Sequence, residues 1–170
     1  MKLPRKQAAA ADTSDDDSSA HAPAARRIAL PVRYPPQVPD IPQDLQTNEL
    51  LRRLKLLHNS LSSTDPVGST VSEEAQDRYG GLALHLIAPQ FIRHTNADVR
   101  ILVACSICDL IRIFGGDDCP YGDQNDLKTV LLFLSKQLRF LDDSKSSYFS
   151  KYFNLLEVLR FQQKGTAQNC

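Results

Sequence analysis

A surplus of charge of either sign is missing. Twenty Lys and Arg stand against twenty Asp and Glu, for a formal net charge of zero. This excludes a global field that would draw the chain to nucleic acid or anionic lipid. Cysteine is scarce, with four residues at irregular spacing among apolar neighbours and no apolar leader resembling a signal peptide. A disulfide framework is therefore not expected, and a reducing compartment, cytosol or nucleus, is. Long hydrophobic runs are also lacking, because charges interrupt every apolar stretch well short of the ~20 residues that a membrane span needs. The chain is expected to be soluble, with no membrane partner. There is no alternating strand pattern, no phosphate-cradling glycine loop, and no recognisable nucleophile and base set among His58, His85 and His94. These absences argue against an enzyme and imply no cofactor.

What the chain does have is helical periodicity. Its 170 residues allow one ordinary domain or a short run of helical repeats. The stretch DVRILVACSICDLIRIF, Asp98 to Phe114, organises the rest. At helical pitch Asp98, Asp109 and Arg112 share one narrow sector, while Val99, Leu102, Val103, Ile107, Leu110, Ile113 and Phe114 occupy most of the circumference. Such a helix must be covered on several sides. Arg100 falls inside the apolar arc and so requires a carboxylate or carbonyl partner, or a path out along its stem. Asp109 and Arg112, three apart, read as a helix-surface ion pair contributing only a few tenths of a kcal/mol.

Around that helix the remaining segments fall into place. Residues 1–33 form a tail of Ala, Ser, Asp and Pro with too few large apolar side chains to offset ordering entropy, so disorder is expected. Its basic start at Lys2, Arg5 and Lys6, and the serines around Asp15 to Asp17, suggest at most a weak import or phosphorylation segment. Prolines 31, 35, 36, 39 and 42 then make an extended lead-in, best placed as a strap along the first helices. A first helix is expected from about Asn48 to Ser62 with Thr47 as cap, burying Leu50, Leu51, Leu54, Leu57 and Leu61. A second should open on a Thr70/Glu73 capping box, be weakened by Gly80 and Gly81, and be kinked or ended by Pro89. Asn96 is the expected cap of the central helix, and Gly115 with Gly116 its terminator. A fourth helix over about Asp126 to Leu141 places Leu127, Val130, Leu131, Leu134, Leu138 and Leu141 on one face, with Leu132, Phe133 and Phe140 widening it enough to be covered on two sides. A fifth carries Tyr148, Phe149, Tyr152, Phe153, Leu155, Leu156 and Leu159 at the same period, and residues 162–170 are irregular. The expected fold is all-α: about five helices in stacked pairs, over residues 34–161.

Two residue groups invite chemistry. Cys105 and Cys108 make a C-x-x-C, yet they lie mid-helix with no second pair at ligand spacing, so buried small hydrophobes is the reading and no metal is expected. Tyr148 and Tyr152 sit at helical spacing and are assigned to the core, whereas Tyr121 follows a loop where an aromatic ring could anchor a peptide.

The Asp98-Val99-Arg100 opening resembles the second helix of a HEAT repeat. The ordered run of Tyr34-Pro35-Pro36, LLRRLKLL at Leu50 to Leu57, LALHL at Leu82 to Leu86, the central helix, DLKTVLLFLSKQL and YFSKYFNLLEVL is similar to the N-terminal HEAT segment of the precocious-dissociation-of-sisters family, cohesin-associated regulators of sister-chromatid cohesion. The resemblance implies a non-enzymatic, nuclear helical scaffold that binds the cohesin complex and short motifs of its release and protection factors, Wapl and sororin, touching chromatin only indirectly. It also implies a ligand surface at an Ala-Pro-acidic-Ala-Pro motif after the central helix. Here that segment is Gly115 to Tyr121, with the final Pro-Tyr kept, the first Ala-Pro replaced and one residue added. Glycine there loosens the loop and raises the ordering cost of any ligand that needs it fixed. By position the implied partner-binding residues are Phe114, Asp117, Pro120 and Tyr121. Family members continue through many more repeats, which implies a marginal fold here, or one completed by another chain. A generic helical adaptor of a cytosolic assembly and a truncated inactive product are the alternatives; a thiol-based redox or zinc protein is a distant third.

Overall fold

In the computed structural model, residues 30–64, 72–114, 119–142, 144–145, 149–153 and 155–157 are described. The tail up to residue 29, the Thr70 side of the proposed capping box, Gly115 to Asp118, Tyr148 and the residues after 157 lie outside them. The described elements are helical, in the order α1 (Thr47–Ser62), α2 (Ser72–Leu86), α3 (Pro89–Ile92), α4 (Ala97–Phe114), α5 (Gln124–Leu138) and a 3-10 turn (Arg139–Asp142). Residues 149–153 and 155–157 are helical as well, and no strand occurs among the described residues.

The expected central helix is the hub. α4 packs against α1, α2, α3 and α5, and none of its residues is exposed. Asn96 starts it as anticipated: its side-chain oxygen accepts the backbone N–H groups of Asp98 (2.8 Å) and Val99 (3.2 Å), two donors that the helix itself cannot satisfy. Arg100 finds the carbonyl partners its position demanded, donating to the oxygens of His94 (2.6 Å) and Thr95 (2.8 Å).

α1 starts one residue earlier than expected. Thr47 is inside the helix and the N-cap is Gln46, which makes no side-chain capping bond. Leu50, Leu54, Leu57 and Leu61 are buried as the period required, while Leu51 is only half-buried at the edge of the stripe. Glu49 accepts from both Arg52 and Arg53 at 2.7–2.8 Å; these guanidiniums pull its carboxyl down to about 2. α2 ends at Leu86 and Pro89 opens α3, where its missing N–H costs nothing.

Gly80 and Gly81 do not interrupt α2, and for Gly81 the reason is tertiary. A Cβ on Gly81 would sit 2.2 Å from the Pro31 carbonyl oxygen and 2.9 Å from that of Leu30, so the extended lead-in crosses α2 in direct backbone contact. The strap is pinned along its length. The Ile41 carbonyl accepts from the Tyr34 hydroxyl (3.3 Å) and from His85 Nε2 (2.8 Å), Arg53 donates to the Asp40 carbonyl, and the Ile41 side chain joins the core. A turn bonded from Val38 N–H to the Pro35 carbonyl (3.1 Å) places Gln37 at φ 68°, the left-handed third position of a type II turn, with Pro36 pre-setting the second.

A testable consequence concerns that crossing. Gly81→Ala gains about 1 kcal/mol of helix propensity but cannot coexist with the strap where it lies. The strap is expected to lift, seen as faster hydrogen exchange and proteolysis over residues 31–41 with α2 helicity retained. Unchanged protection would show that the strap can shift sideways at little cost.

α5 departs most from expectation. It begins at Gln124, capped by the Asp123 carboxylate on the Asn125 N–H (2.7 Å), and its α-helical part stops at Leu138. Among the described residues its buried positions lie on one side. Asp126, Val130, Phe133, Leu134 and Gln137 form the buried face, whereas Leu127, Leu131, Leu132 and Phe140 are exposed. One neighbouring layer, α4, is not enough to cover a band that wide. Of the fifth periodic segment, Tyr152 and Leu155 are buried and Phe153 and Leu156 exposed. Phe140 stacks on Tyr152 (centroids 5.3 Å) and Lys151 donates to Asp98 of α4 (2.5 Å), which tie this segment to the stack.

Candidate partner-binding surface

The loop between α4 and α5 is held by groups that turn inward. Phe114, the last residue of α4, is buried, and Tyr121 is 1% exposed. Pro120 is buried between exposed Cys119 and buried Tyr121. Asp117 lies outside the described residues. Three of the four residues assigned to this surface therefore face the core and can shape the loop, while the outward positions are Cys119, Gly122 and Asp123. A side chain added at Gly122 would meet nothing within 4 Å.

Tyr121 is a costly anchor. Its hydroxyl has no hydrogen-bond partner, and an unsatisfied buried hydroxyl forfeits its hydration without return. Burial, then the nearby Cys108, Cys119 and Asp126, push the phenol well above its ordinary range. The ring belongs to the buried core, near enough to Cys108 of α4 and Asp126 of α5 to feel their charge.

The second polar arrangement was misread in the sequence. Asp109 and Arg112 are not a solvated surface pair: Asp109 is 2% exposed. One carboxylate oxygen accepts from His58 Nδ1 on α1 at 2.9 Å, and the other lies 3.7 Å from the Arg112 guanidinium. Arg112 reaches on to α1, donating to the carbonyls of Leu61 (2.8 Å), Thr64 (2.9 Å) and Ser62 (3.4 Å). The last turn of α1 holds no basic residue of its own, so α4 supplies the cation that its carbonyls and dipole favour. The sector shared by Asp109 and Arg112 was visible at helical pitch; that α1 would cover it was not, because His58 lies 51 residues away.

The thiols of Cys105 and Cys108 lie in the core. Burial, reinforced by the Asp109 carboxylate, pushes the Cys105 thiol up to about 12, and burial, then Cys105 and Asp109, pushes Cys108 the same way. Both remain protonated at neutral pH, which makes them poor nucleophiles and poor ligands. Among the described residues no cluster of three or more His, Cys, Asp or Glu is arranged to hold a metal. No helix of the described residues is long and apolar enough to cross a membrane.

The raised thiols have a measurable consequence. Their native protonation is matched by the unfolded chain below the ordinary thiol value of 9.0 and no longer matched above it. Stability is thus unaffected by these groups below that value and falls as pH rises from about 9 toward about 12. In native protein at pH 8, iodoacetamide should label Cys119 while sparing Cys105 and Cys108 until denaturant is added. Rapid native labelling of the buried pair would show that α4 opens locally.

Residues 48–162 match the family model described as sister chromatid cohesion protein PDS5. Sister chromatid cohesion protein PDS5 homolog A of mouse and of human is each 40% identical over 128 residues, covering 75% of this chain and 9% of the relative. PDS5 homolog B-A of Xenopus laevis is 40% identical over 126 residues, 74% of this chain and 8% of its own length. The chain thus spans less than a tenth of the length of these relatives, and the matched region runs from the second residue of α1 through α5. On that match the chain belongs to the PDS5 family of sister chromatid cohesion proteins.

Proposed function

We propose that this chain acts in the nucleus as a non-enzymatic binding module that helps regulate cohesin during sister chromatid cohesion. The observation that carries the reading is the match over residues 48–162 to a family of cohesion proteins, joined to a helical core in which Cys105 and Cys108 are buried. The surface we assign to partner motifs is the exit of α4, with Asp117 in contact and Phe114, Pro120 and Tyr121 shaping the loop from inside. Its ligands would be short peptides of the Wapl or sororin kind, and chromatin would be reached only through cohesin.

The test is co-precipitation of cohesin subunits with this chain beside a full-length relative; absence of cohesin from the short-chain sample alone would reject the proposal for this chain. The loop is examined separately with labelled peptides. Pro120→Ala and Asp117→Ala are expected to weaken binding about tenfold each, the size of an ordinary interface truncation. Tyr121→Ala would weaken it more, by collapsing the loop. Tyr121→Phe keeps the ring and removes only the unpartnered hydroxyl, so it should bind as the parent does and be as stable or about 1 kcal/mol more so. Equal affinity in the proline and aspartate variants would take the loop out of the site.

A further inference from the structure

α5 and the turn after it carry an unabsorbed pattern: leucines at 127, 131, 134, 138 and 141, alternating in steps of four and three. That is the heptad spacing of a coiled-coil seam. The α-helix ends at Leu138, but the 3-10 turn that follows eclipses residues three apart, so Leu141 stays in line with Leu138. The seam is half covered. Leu134 is buried and Leu138 and Leu141 are half-buried, while Leu127 is 37% and Leu131 55% exposed.

We propose that this seam pairs antiparallel with the same seam of a second copy of the chain. A two-fold axis near Leu134 sets Leu127 against Leu141 of the second copy and Leu131 against Leu138, so each exposed leucine meets a half-buried one. The charges beside the seam fit the same register. Lys128 and Asp142 are both exposed, and the axis brings Lys128 of one copy opposite Asp142 of the other, twice. Isologous pairing also opposes the two helix dipoles and withdraws both leucine edges from water together. Only two heptads are involved, so the dimer is weak and its population follows concentration.

Sedimentation velocity of the full 170-residue chain over a wide concentration range tests this. The expected result is a reversible monomer–dimer equilibrium. Leu131→Glu, at a position already more than half exposed, should stay monomeric with parental helicity. Lys128→Glu should weaken the dimer about tenfold by setting like charges together, and adding Asp142→Lys should restore it. A monomer at every concentration overturns the proposal, including the case in which the seam receives a further helical segment of the kind the longer relatives contain. A dimer that survives Leu131→Glu overturns it too, and failure of the charge exchange to restore association rejects the antiparallel register.

Discussion

Arg112→Ala should lower the free energy of unfolding by about 3 kcal/mol, although the residue is a partly exposed arginine near a helix end. Two losses combine. The carbonyls of Leu61, Ser62 and Thr64 lose the guanidinium, leaving Leu61 with the backbone N–H groups of Ser63 and Thr64, and Asp109, at 2% exposure, keeps its bond to His58. Breaking a buried pair on one side costs more than the pair contributes, because the remaining charge stays desolvated. Removing Asp109 as well should therefore recover part of the loss. Urea denaturation of Arg112→Ala, Asp109→Ala and the double variant measures this directly. Additive losses in that cycle would mean that the two side chains act independently, and that the capping of α1 is the whole effect.

Leu54→Ala should cost about 3–4 kcal/mol, whereas Leu131→Ala should fall within about 0.5 kcal/mol of the parent at monomeric concentrations. Both residues lie on leucine stripes of helical period, and nothing local separates them. Leu54 is 0% exposed beneath α4 and Leu131 is 55% exposed. Truncating the first opens a cavity among fixed neighbours, and truncating the second removes methyl groups already in water. Comparable losses at the two sites in thermal denaturation would show that α5 is covered in solution.

The candidate surface was legible unevenly. Gly115 and Gly116 mark the end of the central helix in the sequence, and α4 does end at Phe114, with α5 starting at Gln124. The direction of the side chains in the loop between them was not legible. A proline and a tyrosine in a polar loop read equally well as a docking surface or as plugs for the corner behind it, and only the arrangement of α4 against α5 turns Pro120 and Tyr121 inward. The thiols were easier: Cys105 and Cys108 are mid-helix among apolar residues, so their burial followed from the pattern that predicted the helix.

Gly81 shows the opposite case. Read locally, a glycine in a helix is a weakness; in the structure it is the gap through which Pro31 passes. Asp109 is similar, a polar residue at the edge of an apolar arc whose burial depends on α1 bringing His58 to it from 51 residues away.

The amino-acid order by itself determined the positions of α1, α2 and α4 to within a few residues, the Asn96 cap, the burial of α4 on several sides and the family. These depend on backbone geometry over a few residues and on the 3.6-residue period, which a chain carries wherever it is read. Tertiary structure alone decided that the strap crosses at Gly81, that Arg112 closes the end of α1, that Pro120 and Tyr121 point inward and that the α5 leucines remain half uncovered. Each depends on which distant segment covers a given face, and no local period encodes that.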